Sequence, residues 1–107
     1  MQAPPVDATD RHIRLEGELI MQRAEEIKPV LLAALPTDGS VARLDLSQVS
    51  EMDTAGLQLL MAANREVIAR GATLTIVAAS EAVRTTLELF RQGALLAPAA
   101  TATGATP

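Results

Sequence analysis

The stretch LDLSQVSEMDTAGLQLL, residues 44–60, decides the fold that we expect for this chain. It begins as a buried strand that ends at Leu46, continues as a polar loop over residues 47–53, and becomes a helix at about Thr54. Asp53 or Thr54 can accept hydrogen bonds from the free amides of the first helical turn. The pattern therefore predicts a strand, a short polar loop and a capped helix.

The start of this predicted helix is a place where negative charge is stabilised, by about 0.3–1 kcal/mol at an exposed site. Ala55 and Gly56 leave room for another backbone, or for a partner's side chain, to approach closely. A phosphoryl group on Thr54 would add about 1.5 to 2 negative charges at pH 7, which the helix amides would favour and Asp53 would oppose. The surface potential would change without a change of fold, which is a mechanism for a binding switch.

Strand and helix patterns alternate on both sides of this junction. Strands are predicted over residues 12–19, 41–46 and 73–78, with a short last strand at Leu95 and Leu96. Helices are predicted over residues 22–35, 54–70 and 81–92, the second closed by Gly71 and the third by Gly93. Such alternation favours an α/β layer with an at least partly parallel sheet.

Two details of the helices remain to be tested. Pro29 falls inside the first helical pattern, where a proline costs about 3 kcal/mol. Either the regular helix starts at about Lys28, with Pro29 in its first turn, or the helix kinks at Pro29. The apolar faces of the second and third helices include Ile68 and Phe90, which we therefore expect in the core.

Composition limits the classes of partner. The 107 residues carry a formal net charge of -4 and contain one Phe, no Tyr and no Trp, so aromatic platforms for nucleic-acid bases are lacking. The charge also argues against an anionic membrane as a partner, and no apolar run approaches the roughly 20 residues of a membrane span. We expect one cytoplasmic domain over residues 11–96, with a flexible lead at 1–10 and a disordered Ala/Thr/Pro tail at 97–107.

The residue types of catalysis are also missing from the pattern. There is no cysteine, and no cluster with the spacing of metal ligands is visible. His12, the lone histidine, has no nucleophile pattern beside it. The glycine-rich signatures of nucleotide-binding loops are absent as well. We therefore expect no enzymatic activity, no metal and no cofactor.

Residues 45–57 fit the pattern D-x-S-x-[VI]-x-x-[MI]-D-[ST]-[STA]-G-[LI], which resembles the signature of STAS domains, the anti-sigma-factor-antagonist family. LEGEL at 15–19 is similar to the family's early strand, and GATL at 71–74 to the entry of a later one. The last helix, with Val83-Arg84, Leu87 and Phe90, also resembles the family's. The resemblance implies a small mixed or parallel sheet of about four strands flanked by about three helices.

In partner-switching members of this family, the hydroxyl residue after the motif Asp is phosphorylated by an anti-sigma-factor kinase, which binds the unphosphorylated form. The matching position here is Thr54. The resemblance therefore implies phosphorylation at Thr54 and a surface for protein partners. That surface would comprise Asp53, Thr54, Ala55, Gly56, Leu57 and Gln58.

The sequence DTAG followed by Gln58-Leu59-Leu60 looks more like stand-alone STAS proteins linked to bacterial chemotaxis clusters. It is also similar to the STAS subunit of a phospholipid-transport ABC transporter, in which the threonine matters for docking to an ATPase. Three partner classes follow: a GHKL-type serine/threonine kinase, a chemotaxis signalling protein, or an ABC ATPase. Thr54 is then either a phosphorylation site or only a docking contact, and the protein alone is expected to be a monomer.

Overall fold

The computed structural model describes residues 10–37 and 39–96. The predicted tail and the predicted lead up to residue 9 lie outside the described residues, and Asp10 is the first residue of β1. The strands are β1 (Asp10–Leu19), β2 (Val41–Met52) and β3 (Thr73–Ala79). The helices are α1 (Met21–Ala34), α2 (Thr54–Ala69) and α3 (Glu81–Leu89), followed by a 3-10 turn at Gly93–Leu95. The predicted alternation of strands and helices is confirmed.

The strands form a parallel sheet in the order β1-β2-β3, with Ile13 opposite Leu44 and Leu44 opposite Ile76. Because successive strands follow one direction across the sheet, right-handed crossovers place α1 and α2 on the same face. Burial along β2 agrees with one covered face, since Ala42, Leu44 and Leu46 are fully buried while the residues between them are only half-buried. The described part of the domain is therefore a sheet layer packed under a helix layer.

The described residues contain three strands and three helices, which is roughly consistent with the predicted sheet of about four strands flanked by about three helices. Gly93–Leu95 forms a 3-10 turn instead of extended chain, and the side chain of Leu95 at the end of this turn is buried in the core. Leu96 then makes a single parallel bridge with Ile76 on the free edge of β3. The predicted last strand is thus reduced to one bridge.

Strand β2 continues beyond its predicted end at Leu46 and reaches Met52. The prediction of a loop over residues 47–53 is therefore wrong for residues 47–52, which belong to the strand. The end of β1 pairs with this polar segment, through Gly17 opposite Val49 and Leu19 opposite Met52, with two shifts of register. The Asp45 carboxylate accepts hydrogen bonds from the Ser47 hydroxyl (2.6 Å) and amide (2.9 Å). These two bonds lower the pKa of Asp45, a smaller desolvation effect opposes them, and the positive charge of Arg14 adds to the lowering.

Helix α1 begins at Met21 and continues through Pro29, so the alternative of a start at Lys28 is wrong. Pro29 cannot donate the hydrogen bond that would reach the carbonyl of Glu25. Both residues are exposed, so water can replace the missing donor. Tertiary packing of the buried Ile27 and Leu31 stabilises a helix that its own sequence interrupts.

Helices α2 and α3 end in the same hydrogen-bond motif but with different residues. After α2, Gly71 has the left-handed conformation expected of a capping glycine (φ 78°), and the amide of Ala72 donates to Val67 (2.7 Å). After α3, the left-handed residue is Arg91 (φ 57°). The predicted helix end at residue 92 and cap at Gly93 are therefore wrong, because the chain must turn earlier for Leu95 to reach the core.

The core is built from aliphatic side chains of one sheet face and one stripe of each helix. Ile68 and Phe90 were expected there, but they are 61% and 47% exposed. In a two-layer domain each helix buries only the stripe that faces the sheet. Val67 occupies that stripe on α2, and Val83 and Leu87 occupy it on α3.

Candidate functional site

Asp53 is the N-cap of α2, one of the two residues that the sequence offered for this role. Its Oδ1 atom accepts hydrogen bonds from the amides of Ala55 (2.8 Å) and Gly56 (3.1 Å). These amides belong to the first turn of the helix, where no carbonyl precedes them to act as acceptor. The cap therefore fixes the direction in which α2 leaves β2.

The second oxygen of Asp53 reaches the other helix. Oδ2 accepts a hydrogen bond from the amide of Met21 (3.1 Å), the first residue of α1. The residue that precedes α1, Ile20, provides no side-chain cap. Since β1 and β2 are parallel, their carboxyl ends meet at one edge of the sheet, and a single carboxylate serves both helices there.

The charge of Asp53 is stabilised by this arrangement. Desolvation by the surrounding chain is the largest effect and raises the pKa, although the side chain remains exposed. The hydrogen bonds from the amides of Met21, Gly56, Ala55 and Asp53 itself together outweigh it, so the pKa lies below the ordinary value of 3.8. Asp53 is therefore a carboxylate at neutral pH and acts as a hydrogen-bond acceptor.

Gly56 lies against the end of β1. The carbonyl oxygen of Leu19 accepts a hydrogen bond from the amide of Asp53 (3.2 Å), and a Cβ atom on Gly56 would collide with the same oxygen. Only glycine lets the backbones of α2 and β1 approach this closely. Gly56 is buried, and this close packing accounts for a glycine at a position that the resemblance assigned to partner binding.

The far end of α1 is also held by a residue next to α2. Arg70, the C-cap of α2, donates from Nη1 to the carbonyls of Leu32 (3.3 Å) and Leu35 (3.2 Å), and its Nε pairs with Glu66 (2.9 Å). The carbonyl of Leu32 also accepts a hydrogen bond from the amide of Leu35 (3.3 Å), and the guanidinium adds a donor to both carbonyls at this end of α1. Asp53 and Arg70 thus fix α1 beside α2 from opposite ends.

The structure separates the predicted partner-binding residues by exposure. Asp53, Thr54 and Gln58 are exposed, Ala55 is half-buried, and Leu57 is 4% exposed. Thr54 is the first residue of α2, and its hydroxyl forms no hydrogen bond with any residue in the described ranges. The part of the segment that a partner or a kinase can reach is therefore centred on Thr54.

A groove with a volume of about 560 Å³ opens beside Thr54, and we call it the Thr54 groove. Its walls come from all three helices or their ends: Lys28 from α1, Phe90 from the end of α3, and a row of α2 side chains. That row includes Thr54, Leu57, Gln58, Met61 and Arg65. A second groove of about 310 Å³ lies between α1 and α2 and shares Lys28, Gln58 and Ala62 with the first.

Sequence reasoning did not assign Lys28, Met61, Arg65 or Phe90 to this surface. A signal existed for two of them, since Met61 and Arg65 follow Gln58 at three- and four-residue steps and so share its helix face. Lys28 and Phe90 belong to other elements. Their approach to Thr54 depends on how the helices pack.

No group of three or more metal-ligating side chains lies within residues 10–37 and 39–96. Among the helices described above, none is long and apolar enough to cross a membrane.

Several solved structures are similar to this fold. The anti-sigma factor antagonist SpoIIAA in its unphosphorylated form is 23% identical with a TM-score of 0.66, over 81% of this chain and 79% of that one. A sulfate transporter family protein from Wolinella succinogenes is 18% identical with a TM-score of 0.67, over 82% and 75%. The SulP transporter STAS domain from Vibrio cholerae is 23% identical with a TM-score of 0.59, over 89% and 80%. At these identities the likeness shows the fold alone.

A search of curated proteins gave no significant match. A family model described as "Mlab, STAS domain" matches residues 5–97. This match covers the junction around Asp53 and every element of the described fold, and the chain therefore belongs to the STAS domain family.

Proposed function

We propose that this protein is a non-enzymatic regulator that binds a signalling partner through the surface around Thr54 and is switched by phosphorylation at that residue. The proposal is carried by one observation: Thr54 is exposed at the start of a helix capped by Asp53, and its hydroxyl has no hydrogen bond to any described residue. The partner is a GHKL-type serine/threonine kinase of the anti-sigma-factor class or a chemotaxis signalling protein.

The effect of a phosphoryl group follows from the bonds already made there. The amides of Ala55 and Gly56 are occupied by the Asp53 carboxylate, and the amide of Leu57 donates to the Asp53 carbonyl (3.1 Å). A phosphate on Thr54 would therefore find these amides engaged and a carboxylate beside it. Its added charge of about -1.5 to -2 would act on the surface potential, not on the fold.

The family description favours a second candidate function. The chain belongs to the family described as Mlab, STAS domain, and its DTAG junction is similar to the STAS subunit of a phospholipid-transport ABC transporter. In this alternative the protein is a constitutive subunit of an ABC ATPase complex. Thr54 would then be a docking contact and would carry no phosphate.

The proposal has further parts that concern the protein alone. It includes no catalytic step, in keeping with the generally non-enzymatic character of STAS domains. The proposed kinase and the proposed ABC ATPase both use ATP, so we place the protein in the cytoplasm. We expect a monomer in the absence of its partner.

The experiment is affinity purification of tagged protein from its native cells, with mass spectrometry of the captured proteins and of Thr54. The wild type is compared with Thr54→Glu and with Thr85→Glu, which places the same charge on an exposed threonine of α3. Loss of a kinase or chemotaxis protein with Thr54→Glu alone is the expected result. Unchanged capture by Thr54→Glu contradicts the switch, and an ABC ATPase captured with unphosphorylated Thr54 supports the alternative.

A further inference from the structure

The charge of the Thr54 groove is opposite to that of the whole chain. The protein has 13 acidic and 9 basic residues. Among the described residues, the lining of the groove includes two cations, Lys28 and Arg65, and no carboxylate. Both side chains belong to exposed residues, one on α1 and one on α2. The groove is therefore a local cationic site on an acidic protein.

These two cations are not used by the fold. Within the part of the chain that the structure describes, neither Lys28 nor Arg65 has a hydrogen bond or an ion pair. Three other arginines in this part are paired with nearby carboxylates: Arg14 with Glu16, Arg23 with Glu26, and Arg70 with Glu66. The charges at the groove thus remain available to a ligand.

The groove also has apolar side chains in its walls. Leu57 and Met61 form part of the groove, and Phe90, the single aromatic residue of the chain, is 47% exposed at its wall. Aromatic side chains in such positions often contribute much of the energy of a protein–protein contact. A groove that combines apolar side chains with two cations fits an apolar segment that also carries carboxylates.

We infer that the Thr54 groove receives an amphipathic segment of the protein partner. Apolar side chains of that segment pack on Met61 and Phe90, and its carboxylates pair with Lys28 and Arg65. This inference rests on the proposed function, because it names the chemistry of the partner at the same site. A phosphoryl group on Thr54 would lie in the same groove and would compete with the partner's carboxylates for both cations.

A random peptide library displayed on phage, selected on the full-length protein, provides a probe that does not require the native partner. We expect the enriched peptides to combine apolar residues with Asp or Glu, and one of them is then synthesised. Amide chemical shifts of isotope-labelled protein should move around Thr54 and Phe90 when this peptide is added. High salt should weaken its binding, because the pairs with Lys28 and Arg65 are near the surface.

The variants Lys28→Glu and Arg65→Glu should each weaken binding of the peptide by about tenfold or more. The matched control is Arg11→Glu, which reverses an exposed arginine of β1 outside both grooves and should leave binding within about twofold. Circular dichroism of each variant checks that the fold is retained. Enrichment of basic peptides, shifts elsewhere on the protein, no enrichment, or equal binding by Lys28→Glu and Arg11→Glu would each overturn the inference.

The Thr54→Glu variant keeps this inference separate from the proposed switch. If native-partner capture is lost with Thr54→Glu but not with Lys28→Glu, the proposed switch is supported and the inference of an amphipathic segment in the Thr54 groove is contradicted. If peptide binding and partner capture are lost with Lys28→Glu but not with Thr54→Glu, the inference of an amphipathic segment is supported and the proposed switch at Thr54 is contradicted.

Discussion

Helices α1 and α2 lie side by side on the sheet, but only α2 is stabilised at both ends by residues of its own segment. Asp53 caps its start, and the turn at Gly71 satisfies its last carbonyls. Within the described residues, α1 has no side-chain cap at Ile20. Neither helix has an acidic residue in its first turn or a basic residue in its last, so the difference lies in the caps. Asp53 and Arg70, which flank α2, supply the missing bonds to α1.

This difference shows that the position of α1 depends on α2. The Thr54 groove combines Lys28 of α1 with Arg65 of α2, so its shape depends on the bonds that fix one helix to the other. Changes at the junction should therefore affect stability first and the groove second. The predictions below test this dependence in order of expected size.

The largest effect is expected for Gly56→Ala. The added methyl group would collide with the Leu19 carbonyl oxygen, so α2 must move away from β1, at a cost of about 3 kcal/mol. Urea denaturation measures the change in the free energy of unfolding. Gly93→Ala is the control, because a Cβ there would meet no described atom within 4 Å apart from those of its own neighbours along the chain. Similar losses for both variants would mean that the close approach at Leu19 does not limit position 56.

The second-largest loss of stability is expected for Asp53→Ala, because it removes the carboxylate that accepts hydrogen bonds from the amides of both helices. We expect a greater loss of stability than for Ser80→Ala, which removes the single cap bond of α3 to Val83 (3.3 Å) at about 1 kcal/mol. Asp53→Asn should lie between wild type and Asp53→Ala, since its one oxygen can serve α2 or Met21 but not both. Denaturation of the four proteins under one condition gives the order. If Asp53→Ala costs no more than Ser80→Ala, the bond to α1 contributes nothing.

The third prediction concerns pH. The pKa of Asp53 is lower in the folded protein than its ordinary value of 3.8, so the unfolded chain binds a proton first as the pH falls. The stability that this carboxylate contributes is present above about pH 3.8 and is lost as the pH drops through the folded pKa. The difference in unfolding free energy between wild type and Asp53→Asn should therefore be constant near neutrality and shrink in acid. A difference that does not change with pH would contradict this account.

The smallest effect is expected at the end of α3, away from the junction. Arg91 has a left-handed backbone, which costs an L-residue energy that glycine does not lose. Arg91→Gly should raise stability by about 0.5 kcal/mol, while Arg91→Ala, which retains a Cβ, should give no gain. Thermal denaturation of both variants tests this, and equal behaviour of the two would exclude backbone strain at this position.

The sequence predicts well those features that depend on neighbouring residues. The bounds of α2, the cap at Asp53 and the turn at Gly71 follow from local periodicity and capping preferences. The extension of β2 to Met52 could not be predicted, because it depends on pairing with β1. The same holds for the bond between Asp53 and Met21, 32 residues apart, and for the approach of Lys28 to Arg65 across two helices.

The shared bonds at Asp53 and Leu19 have a consequence for motion. The amides of Met21, Ala55 and Gly56 donate to one carboxylate, and the amide of Asp53 donates to the carbonyl against which Gly56 packs. These amide protons should exchange with solvent together, as one cooperative unit. A partner that binds at Thr54 therefore meets a backbone that is already ordered, and its binding loses little free energy to the ordering of this segment.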